Sequence, residues 1–204
     1  MDADYSIELG PTAPALEMPW SDPEGKLQYV DLRIAPRDVD RIPEVRNHLG
    51  LRSFLIAVNS HESPWQSAKC DLWAEQVESA TNLYGAAFSQ NCYVDLVLAD
   101  PSEQLKTNLE VHKALAKQIA QELEEHEELP ASAEIVVRRC YFHRPEAETA
   151  DDSTSGYCLT LYLSGFGAST EEAYAHWSEA LELAGRFLLK THPQEARAQD
   201  SELG

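Results

Sequence analysis

The chain has 204 residues, a length that suits one domain. Its apolar content of 43% is enough for a proper core, and no apolar run approaches the length of a membrane span. A net charge of −19, from 35 acidic and 16 basic residues, excludes nucleic acid and anionic membranes as direct partners, since both would be repelled.

Residues 1–25 carry Pro11, Pro14, Pro19 and Pro23 among acids and read as a mobile N-terminal arm, with Trp20 as its one large apolar anchor. The stretch KLQYVDLRI, 26–34, alternates and reads as the first strand, ended by Pro36. Leu51, Phe54, Leu55 and Val58 follow at helical spacing, and Ile42, Val45 and Leu49 continue that period. A helix is therefore expected, with Gly50 as the point where it divides.

The segment 63–84 supports two readings. SPWQ has a helix start, with Ser63 as cap, Pro64 at the first position and Gln66 behind it. The competing reading is a short turn and a strand over 67–76, with Cys70, Leu72 and Ala74 on one face. The strand is favoured because it completes a known order of elements.

A strand follows at 88–100, with Cys92, Val94, Leu96 and Leu98 on one face. Asp100, Pro101 and Glu103 open a helix over 101–127, whose apolar stripe is Leu105, Leu109, Leu115, Ile119 and Leu123. Strands at 132–144 and 157–167 form a hairpin around a polar, mobile loop, 145–156. The last helix buries Ala173, Trp177, Ala180, Leu181, Ala184 and Leu188, and the tail 192–204 frays. The order is β-α-β-β-α-β-β-α. The expected fold is α+β: a two-layer, mainly antiparallel sheet with helices on one face. Its core is ferredoxin-like (βαββαβ), followed by a C-terminal strand and helix, in a single domain over 26–191.

YLSGFGASTEEA, 162–173, has the strand, glycine loop and helix start of a phosphate cradle. Thr170 stands where a dinucleotide fingerprint needs its third glycine, and no Gly-Lys-Ser/Thr follows. Ser169 and Glu172 form a capping box, and the acids of the first turn would repel a phosphate. The stretch therefore reads as a turn with a cap, and no cofactor is implied.

The basic cluster VVRRCYFHR supplies the first candidate site: Arg138, Arg139, Tyr141, His143 and Arg144. Arg139, Tyr141 and His143 alternate on one strand face, where a guanidinium, a phenol and an imidazole suit a carboxylate or phosphate. The plainer alternative is pairing with the chain's own acids. A second candidate is the dense segment HESPWQSAKCDLW, with His61, Lys69, Cys70 and Asp71. The histidine spacing carries no metal motif. Cys70, Cys92, Cys140 and Cys158 form no CxxC and read as buried thiols in a reducing compartment. The acidic start MDADYSIELG has no signal-peptide pattern, so a cytoplasmic location is expected.

These features point to a non-enzymatic acidic binding protein that recognises a protein partner, and a basic partner suits the charge. The alternative is a small-molecule enzyme or anion-binding domain using the Arg139/Tyr141/His143 face or the 61–71 segment. Self-repulsion at a net charge of −19 predicts that folding stability rises modestly with added salt. A denaturation midpoint that stays level or falls from low to moderate ionic strength would contradict it.

Overall fold

The computed structural model describes residues 1–22, 24–77, 83–99, 102–143 and 153–193. The fold is α+β, built on a mixed, mostly antiparallel six-stranded sheet. Its elements in order are β1 (Asp2–Glu8), β2 (Ala15–Met18), α1 (Leu49–Val58), β3 (Trp65–Gln76) and β4 (Phe88–Leu98). There follow α2 (Glu103–Lys106), α3 (Leu109–Glu124), β5 (Ala131–His143), β6 (Ser153–Gly167) and α4 (Thr170–Lys190). The order across the sheet is β1-β5-β6-β4-β3, and β2 continues β1 along the same edge of β5. β4 and β5 both run antiparallel to β6, so they are parallel to each other with β6 between them. Joining parallel strands requires a crossover, and α3 supplies it.

Three expectations are corrected at the N-terminal end. The arm expected over 1–25 contains β1 and β2, both parallel to β5. Its acids hid a period of two: Asp2, Asp4, Ser6 and Glu8 alternate with Ala3, Tyr5 and Ile7. The strand expected at 26–34 makes only an isolated bridge, Ser21 to Gln28. There the Asp31 carboxylate accepts the N–H groups of Arg33 and Ile34, which turns the chain instead of extending it. The helix expected from about residue 42 begins only at Leu49, since Pro36 and Pro43 start short 3-10 turns.

The expected ferredoxin-like order depended on a first strand at 26–34, and that topology is not what forms. β6 occupies the place between β5 and β4. The segment 65–76 is a strand, as favoured; Ser63 Oγ accepts the Trp65 N–H at 3.1 Å. The Trp65 indole is fully buried, with its N–H 2.9 Å from Thr191 Oγ1. The helix expected over 101–127 is divided: α3 has its own cap at Asn108, whose Oδ1 accepts from Glu110 and Val111. Residues 100–101, the expected start of that helix, lie outside the described residues, as do 145–152 of the acidic loop and 194–204 of the tail. Residues 153–156 of that loop belong to β6.

Helices α1, α3 and α4 share one core with one face of the sheet. Leu51, Leu115, Ile119, Trp177 and Leu181 pack there with Val94, Ile135, Leu159 and Leu161. A smaller cluster of Leu16, Met18, Ala68, Val97, Cys140 and Cys158 uses the alternate strand positions. None of the described helices is long and apolar enough to cross a membrane.

The glycines of YLSGFGAST have a packing role. A Cβ on Gly165 would stand 2.2 Å from the Trp177 backbone nitrogen, and one on Gly167 would stand 2.5 Å from that of Ala173. Both keep β6 bare so that α4 can lie against it. The cap half of the box is formed, with Ser169 Oγ accepting the Glu172 N–H at 3.2 Å, while the Glu172 carboxylate accepts the N–H of Ala168, one residue before the cap, at 2.7 Å. Gly50 does not divide a helix; it lies inside α1, where a Cβ would meet Ser178 Oγ at 2.7 Å. Gly165→Ala is expected to lower stability by about 2 kcal/mol or more, since rigid backbone must shift. An unchanged melting temperature would show that α4 can lift off β6 at little cost.

Candidate functional site

Strand alternation and the pairing register define the sheet face turned away from the three helices. One row across it runs Asp4, Glu134, Tyr162, Tyr93, Asp71. The next runs Ser6, Val136, Thr160, Asp95, Lys69. A third holds Ser164, Asn91 and Trp73. The Tyr93 and Tyr162 rings lie 5.9 Å apart, and Lys69 Nζ is 6.0 Å from the Tyr93 ring centre. Acids surround this aromatic pair, and Trp73 is 41% exposed beside it.

A polar network crosses the middle of the face. Arg138 Nη2 donates to Glu8 Oε2 at 2.7 Å, and its Nε reaches the same oxygen at 3.0 Å. Arg138 Nη1 donates to Tyr162 Oη at 2.9 Å and to Thr160 Oγ1 at 3.2 Å. Thr160 in turn donates to Asp95 Oδ1 at 2.6 Å. Asp95 is buried, which pushes its carboxyl above the usual range; the Thr160 hydrogen bond and the charges of Arg138 and Lys69 oppose that shift. Burial raises the Tyr93 phenol as well, and Asp95 and Asp71 add to it. The network ties β1, β5, β6 and β4 together, and charge-assisted hydrogen bonds of this kind are the stronger sort.

Of the first predicted cluster, the network uses Arg138. Arg139 and Tyr141 are exposed at alternate positions of β5, and His143 Nε2 lies 3.7 Å from Glu17 Oε2. Arg144 lies outside the described residues. Of the second cluster, Lys69, Cys70 and Asp71 line a cavity of about 420 Å³ beside β3, together with Trp20, Arg41 and Glu44. His61 is in an exposed turn and is not among the lining residues; its carbonyl accepts from Arg33 Nη2 at 3.5 Å. Burial, then the Glu44 carboxylate, pushes the Cys70 thiol well up, which disfavours its thiolate form. Among the described residues, no group of His, Cys, Asp and Glu side chains is placed to hold a metal ion.

Sequence reasoning missed Glu8, Tyr93, Asp95, Thr160 and Tyr162. The signal for Asp95 was present: a carboxylate inside YVDLVL must be buried with the strand, and a buried charge needs partners.

The sign of the Asp95 effect is testable. Its folded-state pKa is raised, so the ionised form costs stability at neutral pH, and that cost fades as pH falls through the folded value. Asp95→Asn keeps an acceptor for Thr160 without the charge. It is expected to be at least as stable as the native chain near neutral pH, with any advantage shrinking on acidification. Thermal melts across pH check this; an advantage that grows as pH falls would reverse the assignment. No family model matches the chain, and no curated protein or solved structure matches it.

Proposed function

We propose that the chain is a non-enzymatic binding protein that recognises a basic protein partner through the uncovered sheet face. The carrying observation is the Tyr93–Tyr162 pair set among the exposed carboxylates Asp4, Asp71 and Glu134, with Trp73 exposed at the margin. Aromatic side chains give contact area at small entropic cost, and arginine or lysine of a partner stacks on them while pairing with the surrounding carboxylates. Two cations lie among these rows: Arg138 is drawn inward to Glu8, and Lys69 is exposed beside Tyr93, where Asp4, Asp71 and Glu134 outnumber it. Burial and the nearby Glu44 carboxylate disfavour the Cys70 thiolate, which suits binding better than nucleophilic catalysis.

A second reading draws on the cavity beside Lys69, Cys70 and Asp71: a small polar ligand held there. Tyr93 lines that cavity as well, whereas Tyr162 does not, so Tyr162→Ala alone separates the two readings: it is expected to weaken a protein partner and to leave a cavity ligand bound.

The test is binding of lysine- and arginine-rich protein domains across ionic strength. Association is expected to weaken with salt, mainly through the on-rate. Tyr93→Ala with Tyr162→Ala is expected to weaken it by about tenfold or more. Binding that is equal at low and high salt and indifferent to the double variant would sink the proposal.

A further inference from the structure

β3 is the last strand of the sheet, with β4 as its neighbour. The Val77 N–H donates to the Ala87 carbonyl at 3.0 Å, and the Trp73 carbonyl accepts from Gln90 Nε2 at 3.0 Å, both on the β4 side. Backbone groups of a strand alternate in direction, so Cys70, Leu72 and Ala74 turn theirs outward. The Leu72 N–H fits this: it donates to the adjacent Asp71 Oδ1 at 2.7 Å. Residues 73–76 are exposed, while residues around Trp20 and Arg41–Glu44 line the cavity beside Ser67–Asp71. An edge of this kind is a template for another strand.

We propose that the occupant of this edge is the β3 strand of a second copy of the chain, paired antiparallel about Leu72. Outward backbone groups meet in any two-fold register centred between Cys70 and Ala74, and side-chain charge narrows these: centring on Asp71 sets that carboxylate against its own copy, and centring on Trp73 sets Asp71 against Glu75 of the second copy. Centring on Leu72 sets Cys70 opposite Ala74 of the second copy, with outward backbone groups meeting on both sides. On the uncovered face it sets Lys69 opposite Glu75 of the second copy, twice by symmetry, and Asp71 opposite Trp73. Centring on Ala74 loses the Lys69 pairing. Centring on Cys70 drives the incoming strand along Ser67, at the end bordered by the cavity-lining residues 20–22 and 41–44. Opposite charges directly across a strand pair are favourable and like charges unfavourable, so the register about Leu72 is self-complementary, as a two-fold interface requires. The second copy's strand end would enter the mouth of the cavity beside Cys70. This interface shares Asp71 and Trp73 with the basic-partner face, but its test reads self-association alone, so the two proposals can fail separately.

Sedimentation velocity of the full chain over about a hundredfold range of concentration tests it, because dimerisation follows mass action. The native chain is expected to move from monomer to dimer. Ala74→Pro removes an outward N–H from an exposed position, so it should abolish the dimer and leave the melting temperature nearly unchanged. Lys69→Glu places two carboxylates opposite each other and should weaken dimerisation by about tenfold or more, while Lys69→Glu with Glu75→Lys should restore it. A native chain that stays monomeric throughout overturns the proposal. So does a dimer indifferent to Ala74→Pro, or a Lys69→Glu defect that the double variant fails to rescue.

Discussion

All three long helices lie on one face of the sheet, and that one-sidedness governs the rest of the molecule. The helix side is an ordinary apolar core, in which Trp177 of α4 sits over bare glycine positions of β6. Among the described residues, no helix lies on the other side. Its central strands are nonetheless crowded enough to bury Asp95 and Thr160. Polar groups removed from water need partners, and here the strands supply their own. Arg138 is the hub: it joins Glu8 on an edge strand to Tyr162 and Thr160 in the middle, and through Thr160 to Asp95. A sheet face that is satisfied from within can stay open to a partner.

The few cations are placed with the same economy. Arg33 Nη1 donates to the carbonyls of Ser60, Ser63 and Trp65 at 2.9–3.0 Å, which ties the segment after residue 30 to the turn between α1 and β3. One guanidinium thereby does for that segment what a strand ladder would have done. Arg138 does comparable work on the open face. With these two bases engaged internally, the exposed charge is dominated by carboxylates, and the field outside the protein carries the sign of the whole chain. The same acids that favour a basic partner also repel one another, so stability and recognition respond to salt in opposite directions.

Much of this was legible from residue order. β4, β5, β6 and α4 follow from alternation, helical spacing and the Ser169–Glu172 cap, all local properties. The cap reading of YLSGFGAST agrees with its hydrogen bonds, but the reason for both glycines is the close passage of α4, a contact no local pattern contains. β1 is masked by its composition: DADYSIE alternates cleanly yet is rich in acid. The stretch 26–34 failed the other way. Its alternation is good, but a strand needs a neighbour, and the place beside β4 and β5 is held by β6. The site was least legible. Arg138 and Arg139 are adjacent and chemically identical, and only the strand pairing with Glu8 decides which one is drawn into the sheet.

Edge and face are linked by geometry. A two-fold axis through Leu72, normal to the sheet, keeps each copy's uncovered face on the same side. The two tyrosine pairs would then belong to one continuous surface, with Trp73 of each copy near the seam. For a partner carrying two basic segments, the second contact becomes intramolecular, and weak individual contacts multiply into useful avidity. The charge works against this arrangement, since two strongly acidic chains repel. Salt screens that long-range repulsion more than it weakens short backbone hydrogen bonds. Dimerisation should therefore strengthen with ionic strength over the range in which binding of a basic partner weakens, so the two interfaces can be separated by salt alone.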